Sequence, residues 1–188
     1  LGSGGLSQGV FIAPGWELPE RAPYIKPDPD LVMDVADISV EFGNPRILDQ
    51  VHIQVRRGET LVIAGDNGCG KSTLLHALAS TSLGPEPLCA LVPHDVGELF
   101  VTASVKEELE LADRVAGANP GFSALTLESL APSMGRREIS MAVGDTHPRD
   151  LSWGQQTALA IAIQMSRKPT VLALDEPTRR LDSGADQL

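Results

Sequence analysis

The stretch "GDNGCGKS", residues 65–72, lies between the apolar run "TLVIA" at 60–64 and the helix-like "TLLHALA" at 73–79. Its three glycines fall within six residues and are followed directly by a lysine. Glycine loses more backbone entropy on folding than any other residue, so a cluster of them implies a need for bare main-chain amides. Gly65, Gly68, Gly70, Lys71 and Ser72 complete the pattern G-x-x-x-x-G-K-[ST], the phosphate-binding loop. Between a strand and a helix, such a loop lets successive N–H groups of Asn67, Gly68, Cys69, Gly70, Ser72 and Thr73 converge on one anion. The helix that follows turns its positive dipole end to the same point. Lys71 adds a point charge for the terminal phosphates of ATP, and the Ser72 hydroxyl is a ligand for Mg2+.

Working outward, the pattern predicts an α/β chain. "LVMDVADISVEF" and "ILDQVHIQV" alternate apolar and polar residues on either side of the turn signal "GNPR", and predict a small antiparallel β part. "TLVIAG" is apolar without alternation, as is a strand buried on both faces. "KSTLLHALAS" predicts a helix and "LCALVP" another short strand. Residues 104–116 put Val105, Leu109, Ala112 and Val115/Ala116 on one helical face. Residues 117–150 read as irregular, with short helical pieces. "SWGQQTALAIAIQMS" predicts a buried helix and "TVLALDEPT" a strand ending on two acids. Strands alternating with helices predict a parallel, helix-flanked sheet. Residues 1–30, rich in Gly and Pro, read as a linker or the tail of an upstream domain, and 31–188 as one domain with a helical part at about 98–150.

Bulk properties narrow the function. The 188 residues carry a net charge of −10, which argues against a nucleic-acid partner. No apolar run reaches the roughly 18 residues that span a bilayer. Two cysteines are too few for a disulfide framework and fit a reducing compartment.

"VLALDEP", at 171–177, supplies the second landmark. Asp175 follows four apolar residues and so falls at the C-terminal end of a strand, where open α/β sheets bind ligands. There it is a candidate to hold Mg2+, with Glu176 beside it to polarise an attacking water. The plainer alternative for both acids is a helix cap or solvated turn.

The third landmark is "LSWGQQ" at 151–156. With it, residues 31–188 resemble the nucleotide-binding domain of ABC ATPases, a P-loop NTPase core. The family order of P-loop, L-S-G-G-Q signature, Asp-Glu-Pro-Thr and D-loop ("RRLD", 179–182) is kept. The resemblance implies that Ser152, Gly154 and Gln155 form a second anion site closing on ATP held by an opposite subunit. It also implies that Asp182 communicates across that dimer and that Phe42 stacks on adenine; core packing is the equal alternative for Phe42. Trp153 stands where the signature has its first glycine. His94, in "LVPHDVGELF", stands where the family's Q-loop glutamine is usual, so it joins Glu176 and Lys71 as a catalytic candidate; a surface-turn histidine is the alternative. The Ser80–His94 stretch is short for the family, and the family's switch histidine and last strands are expected beyond Leu188.

"ELFVTASVKEELEL" further resembles energy-coupling-factor and cobalt-type importer ATPases. That resemblance implies a peripheral ATPase on the cytoplasmic face of the cell membrane, paired with a second ABC ATPase domain and docked on integral membrane subunits. It powers micronutrient import and, as an isolated monomer, hydrolyses ATP poorly. Two other readings stay open: a non-transport ABC ATPase of the translation or DNA-repair type, and a degenerate half that binds ATP only.

Overall fold

A computed structural model of the chain describes residues 30–41, 47–81, 88–130 and 144–177. Residues 1–29 of the predicted 1–30 linker, the turn "GNPR", Phe42 and the D-loop with Asp182 lie outside the described residues. Strands β1 (Leu31–Val40) and β2 (Leu48–Arg56) pair antiparallel, with irregularities in register between Val35 and Ile38 and between Ile38 and Val40. A two-stranded ribbon is marginal in water without something to pack on. Here Met33, Ile38, Leu48, Ile53 and Val55 are buried in one apolar cluster with Leu74 and Leu78 of helix α1 (Lys71–Ser80).

Strands β3 (Cys89–Val92) and β4 (Val171–Leu174) pair in parallel, residue for residue from Cys89 with Val171 to Val92 with Leu174. Their side chains divide with the period of two that a strand imposes. Cys89 and Ala173 are buried in the cluster with α1, with Leu91 and Val171 packed against it. Val92 belongs to a second cluster, against which Leu172 packs. Both faces of the parallel pair are therefore covered, which is why neither sequence shows polar alternation.

The second cluster is helical. Helices α2 (Val105–Ala116), α3 (Phe122–Leu130) and α4 (Trp153–Met165) meet around Val105, Leu109, Leu127 and Leu159, with Val96 and Phe100 from the turn after β3. Leu159 is wholly buried, so truncation to Ala would cost about 2–5 kcal/mol. Buried acids shape this part. Glu108 accepts from the N–H groups of Val101 and Thr102, pinning the chain ahead of α2. Asp113 accepts from Gly121 N–H (2.7 Å), Ser123 N–H (3.0 Å) and Ser123 Oγ (2.6 Å), so it ties the end of α2 to the start of α3.

One sequence expectation is corrected and one narrowed. "TLVIA" is not a strand: residues 60–64 have no regular structure, and Val62 is 65% exposed. An extended segment needs a neighbour to accept its ladder; among the described residues β4 pairs with β3, and Thr60–Ile63 instead share with Val171–Asp175 the lining of a cavity of 510 Å³. Of the expected alternatives Val115/Ala116, Ala116 is half-buried, whereas Val115 is 76% exposed. The helix stops two residues later at Gly117, in the left-handed conformation, and the inward place in its last turns goes to Asp113. The expected antiparallel pair, parallel pair, helix at 71–80 and buried helix after the signature all form.

Candidate functional site: a phosphate cradle beside two acids

The loop at 65–70 owes its shape to main-chain conformations that a side chain would oppose. Gly70, the residue preceding α1, has φ 97°, and a Cβ there would come within 2.8 Å of Ile47 Cγ2. Gly68 has φ 82°, and a Cβ there would meet nothing within 4 Å, so the space above it is open to a ligand. Lys71 reaches back over the loop, its Nζ donating to the carbonyl oxygens of Gly65 and Asp66, each at 2.9 Å. This latch anchors an ammonium at the rim of the cradle.

The cradle opens onto a pocket of 320 Å³ to which Asn67, Gly68, Gly70, Lys71, Ser72 and Thr73 all contribute, with Glu176 facing them. Cys69 is the one loop candidate absent from this lining. Its N–H donates to the Asp66 carbonyl at 3.2 Å, and its thiol sits where a Cβ on Gly65 would meet it at 2.7 Å. Ile47, which sequence reasoning did not single out, supplies an apolar wall of the pocket. Its signal is weak, a single aliphatic residue after a turn.

Asp175 and Glu176 come to this place through β4. The N–H of Asp175 extends the parallel ladder by donating to Val92 O at 3.0 Å, and the Asp175 side chain is 95% removed from solvent by its position at the strand's end. Ser72, His94, Asp175 and Glu176 line a neighbouring pocket of 250 Å³, together with His76 and Glu98, which the sequence reading missed. His94 Nδ1 lies 3.8 Å from Glu176 Oε2. Ser72 and Glu176 line both pockets, so the two spaces share a boundary.

The donors suit Mg2+ only in part by themselves. The Ser72 hydroxyl and the buried Asp175 carboxylate are hard oxygen ligands. Among the described residues no group of three or more His, Cys, Asp or Glu could hold a metal ion. A pair of protein oxygens completed by phosphate oxygens and water is how Mg2+ is usually held beside a nucleotide.

The signature residues are elsewhere. Ser152 precedes α4 and forms a reciprocal cap: its Oγ accepts from Gln155 N–H at 3.4 Å, while its own N–H donates to Gln155 Oε1 at 2.8 Å. Trp153 packs its indole partly against the helical core, leaving Gly154 as the small residue of the first turn. None of Ser152, Gly154 and Gln155 lines either pocket at the loop. A phosphate gripped by the cradle would not touch them within one chain.

A glycine-formed cradle at the start of a helix, beside an acid pair closing a parallel strand, defines a P-loop nucleotide-binding domain. The family profile described as ABC transporter matches residues 48–179. The chain belongs to that family. It is 35% identical over 190 residues to a protein of Streptomyces avermitilis provisionally named an ABC transporter ATP-binding protein, covering 89% of this chain and 32% of the relative. An aliphatic sulfonates import ATP-binding protein of Paraburkholderia xenovorans is 30% identical over 167 residues, covering 85% of this chain and 62% of the relative. The chain thus spans about a third of the Streptomyces relative's length. In fold it is similar to an ATP-binding subunit of an ABC transporter (TM-score 0.61, 23% identity, 78% of this chain and 66% of the other). It is similar also to CbiO1 from Clostridium perfringens, part of the ABC transporter complex CbiONQ (TM-score 0.59, 24% identity, 80% and 67%).

Proposed function

We propose that the chain binds ATP with Mg2+ and hydrolyses it as the ATPase component of an ABC transporter, working in a pair with a second ATPase domain. The observation that carries this reading is the shared boundary of the two pockets, where Ser72 and Glu176 line both. The cradle takes the β- and γ-phosphates, with Lys71 supplying charge. Ser72 and Asp175 hold Mg2+, which screens the phosphate charge when bound. Glu176 accepts a proton from a water that attacks the γ-phosphorus. The bond from that phosphorus to the β–γ bridging oxygen breaks, leaving ADP and phosphate. Ser152, Gly154 and Gln155, which line neither pocket at the loop, close on the nucleotide of the opposite subunit. A lone monomer therefore binds ATP and turns it over slowly.

The named import ATPases among the relatives and the CbiO1 likeness support work at the cytoplasmic face of a membrane, docked on integral subunits, with micronutrient import as the particular task. Among the described residues no helix is long and apolar enough to cross a membrane, so on this reading attachment runs through those subunits. The test is ATP turnover by the full-length protein with its membrane subunits, alongside Glu176→Gln. That variant should keep ATP affinity, lose hydrolysis by about a hundredfold or more, and accumulate as an ATP-bound dimer. Undiminished turnover would remove Glu176 from the chemistry, and recovery of the protein without any membrane subunit would remove the transport assignment.

A further inference from the structure

The loop after β3 brings a histidine to the edge of the acid pair, and its geometry carries a role beyond simple presence in the pocket. His94 Nδ1 is shielded from solvent and has no hydrogen-bond partner. It faces Glu176 Oε2 at 3.8 Å, about 1 Å beyond a hydrogen bond. Glu176 is also one of four described non-glycine residues with positive φ, at 48°. That conformation is uncommon for a side chain with a Cβ, and it is found where surrounding structure fixes a functional geometry. The backbone on both sides is tied: Asp175 N–H is bonded to Val92 O, only two residues before His94. The imidazole and the carboxylate are thus each carried two residues past the ends of adjacent parallel strands.

We propose that His94 is a positioning residue for Glu176: its Nδ1–H donates to Oε2 and so directs the other carboxylate oxygen at the attacking water. The inference rests on the hydrolytic reading above. It needs a proton on Nδ1, which the δ-protonated neutral ring supplies, so it does not depend on a charged histidine. The other polar groups lining this pocket are Ser72 and His76 from α1, Asp95 and Glu98 from the turn after β3, and Asp175 just past the end of β4; His94 is the histidine within 4 Å of the Glu176 carboxylate. A buried nitrogen without a partner is costly, and closing on Glu176 removes that cost when the site is assembled. Fixing one carboxylate oxygen reduces the orientations that the base must search before proton transfer.

Steady-state ATPase kinetics on the full-length protein with its partner subunits test this, with thermal melting to verify folding of each variant. His94→Ala should lower kcat by about tenfold while KM for ATP moves less than about twofold, because the ring touches the base and not the phosphates. His94→Gln, which keeps a donor of similar reach, should recover most of that loss. In a Glu176→Gln background, His94→Ala should add little further loss, since the group it orients is gone. An unchanged kcat in His94→Ala, a change in KM alone, or a full further loss in the Glu176→Gln background would each overturn the positioning role. If the wild-type protein binds ATP but does not hydrolyse it, the hydrolytic reading fails first and the inference falls with it. Normal wild-type turnover with an indifferent His94 sinks only the inference.

Discussion

Lys71 Nζ and the Gly65 carbonyl oxygen are joined at 2.9 Å, so the lysine of the cradle closes the loop on itself. With the matching bond to Asp66 O, the ammonium is already oriented at the rim of the pocket. Lys71→Ala removes both the charge that meets the nucleotide and the latch that shapes the loop. A charge-assisted contact is worth about 1.5–3 kcal/mol, or roughly ten- to a hundredfold in affinity. Calorimetric titration with a non-hydrolysable ATP analogue should show at least tenfold weaker binding, and equal affinity would count against the cradle.

Asp113 tests the helical part independently of the nucleotide. Its carboxylate is buried and satisfies two N–H groups and a hydroxyl at the start of α3. Asp113→Ala leaves those donors facing a small apolar gap, at a cost of about 2–3 kcal/mol. Denaturant unfolding should reveal the loss as a lower midpoint. ATP-analogue affinity should stay within about twofold, because Asp113 contributes to neither pocket at the loop.

What was readable in the chain follows the kind of physics involved. The cradle, the helix at 71–80 and the acid pair are local patterns: glycine conformation, a dipole end and the last residue of a strand act over a few neighbours. The helix at 71–80 forms where expected, Asp175 follows directly on the last residue of β4, and the helix after Ser152 forms with a cap wholly within residues 152–155. The failures are long-range. "TLVIA" carries the composition of a buried strand, but a strand is defined by its neighbours, and the space beside β4 is a cavity. The period alone left Val115 and Ala116 as alternatives, of which Val115 faces solvent, while Asp113 is buried because of donors eight and ten residues further along. His76 belongs to no motif and Glu98 only opens the "ELFVTASVKEELEL" segment, and only folding brings them beside Asp175.

An acid-side prediction comes from the outer face of the antiparallel ribbon. His52 Nε2 lies 2.5 Å from Asp34 Oδ1, and Gln54 donates to Oδ2 at 3.1 Å. The hydrogen bond with His52, then that from Gln54, holds the Asp34 carboxyl below the ordinary aspartate range. A carboxyl depressed in the folded state contributes stability above its unfolded pKa, near 3.9, and loses it as pH falls through the lower folded value. His52→Ala should therefore raise the Asp34 titration midpoint, read by carbon NMR of the side-chain carboxyl, and shrink the acid-induced loss of stability below about pH 4. Because Asp34 lies on the solvent-exposed face of the ribbon, the change should be clearer in the titration than in the melting temperature.

The two thiols should separate by reactivity. Cys69 is exposed in the cradle, whereas Cys89 is buried at the start of β3, and burial pushes its pKa up. The reactive species is the thiolate, so Cys89 is disfavoured twice, by access and by ionisation. A colorimetric thiol reagent on the native protein should show one fast and one slow phase, with Cys69→Ser removing the fast one. Cys89 should react at a rate set by local opening of the cluster around β3. Saturating ATP analogue should slow the fast phase, because Cys69 lies between Gly68 and Gly70, both of which face the pocket. Equal rates for the two cysteines in the native state would contradict the burial of β3, and a fast phase indifferent to nucleotide would contradict binding at this loop.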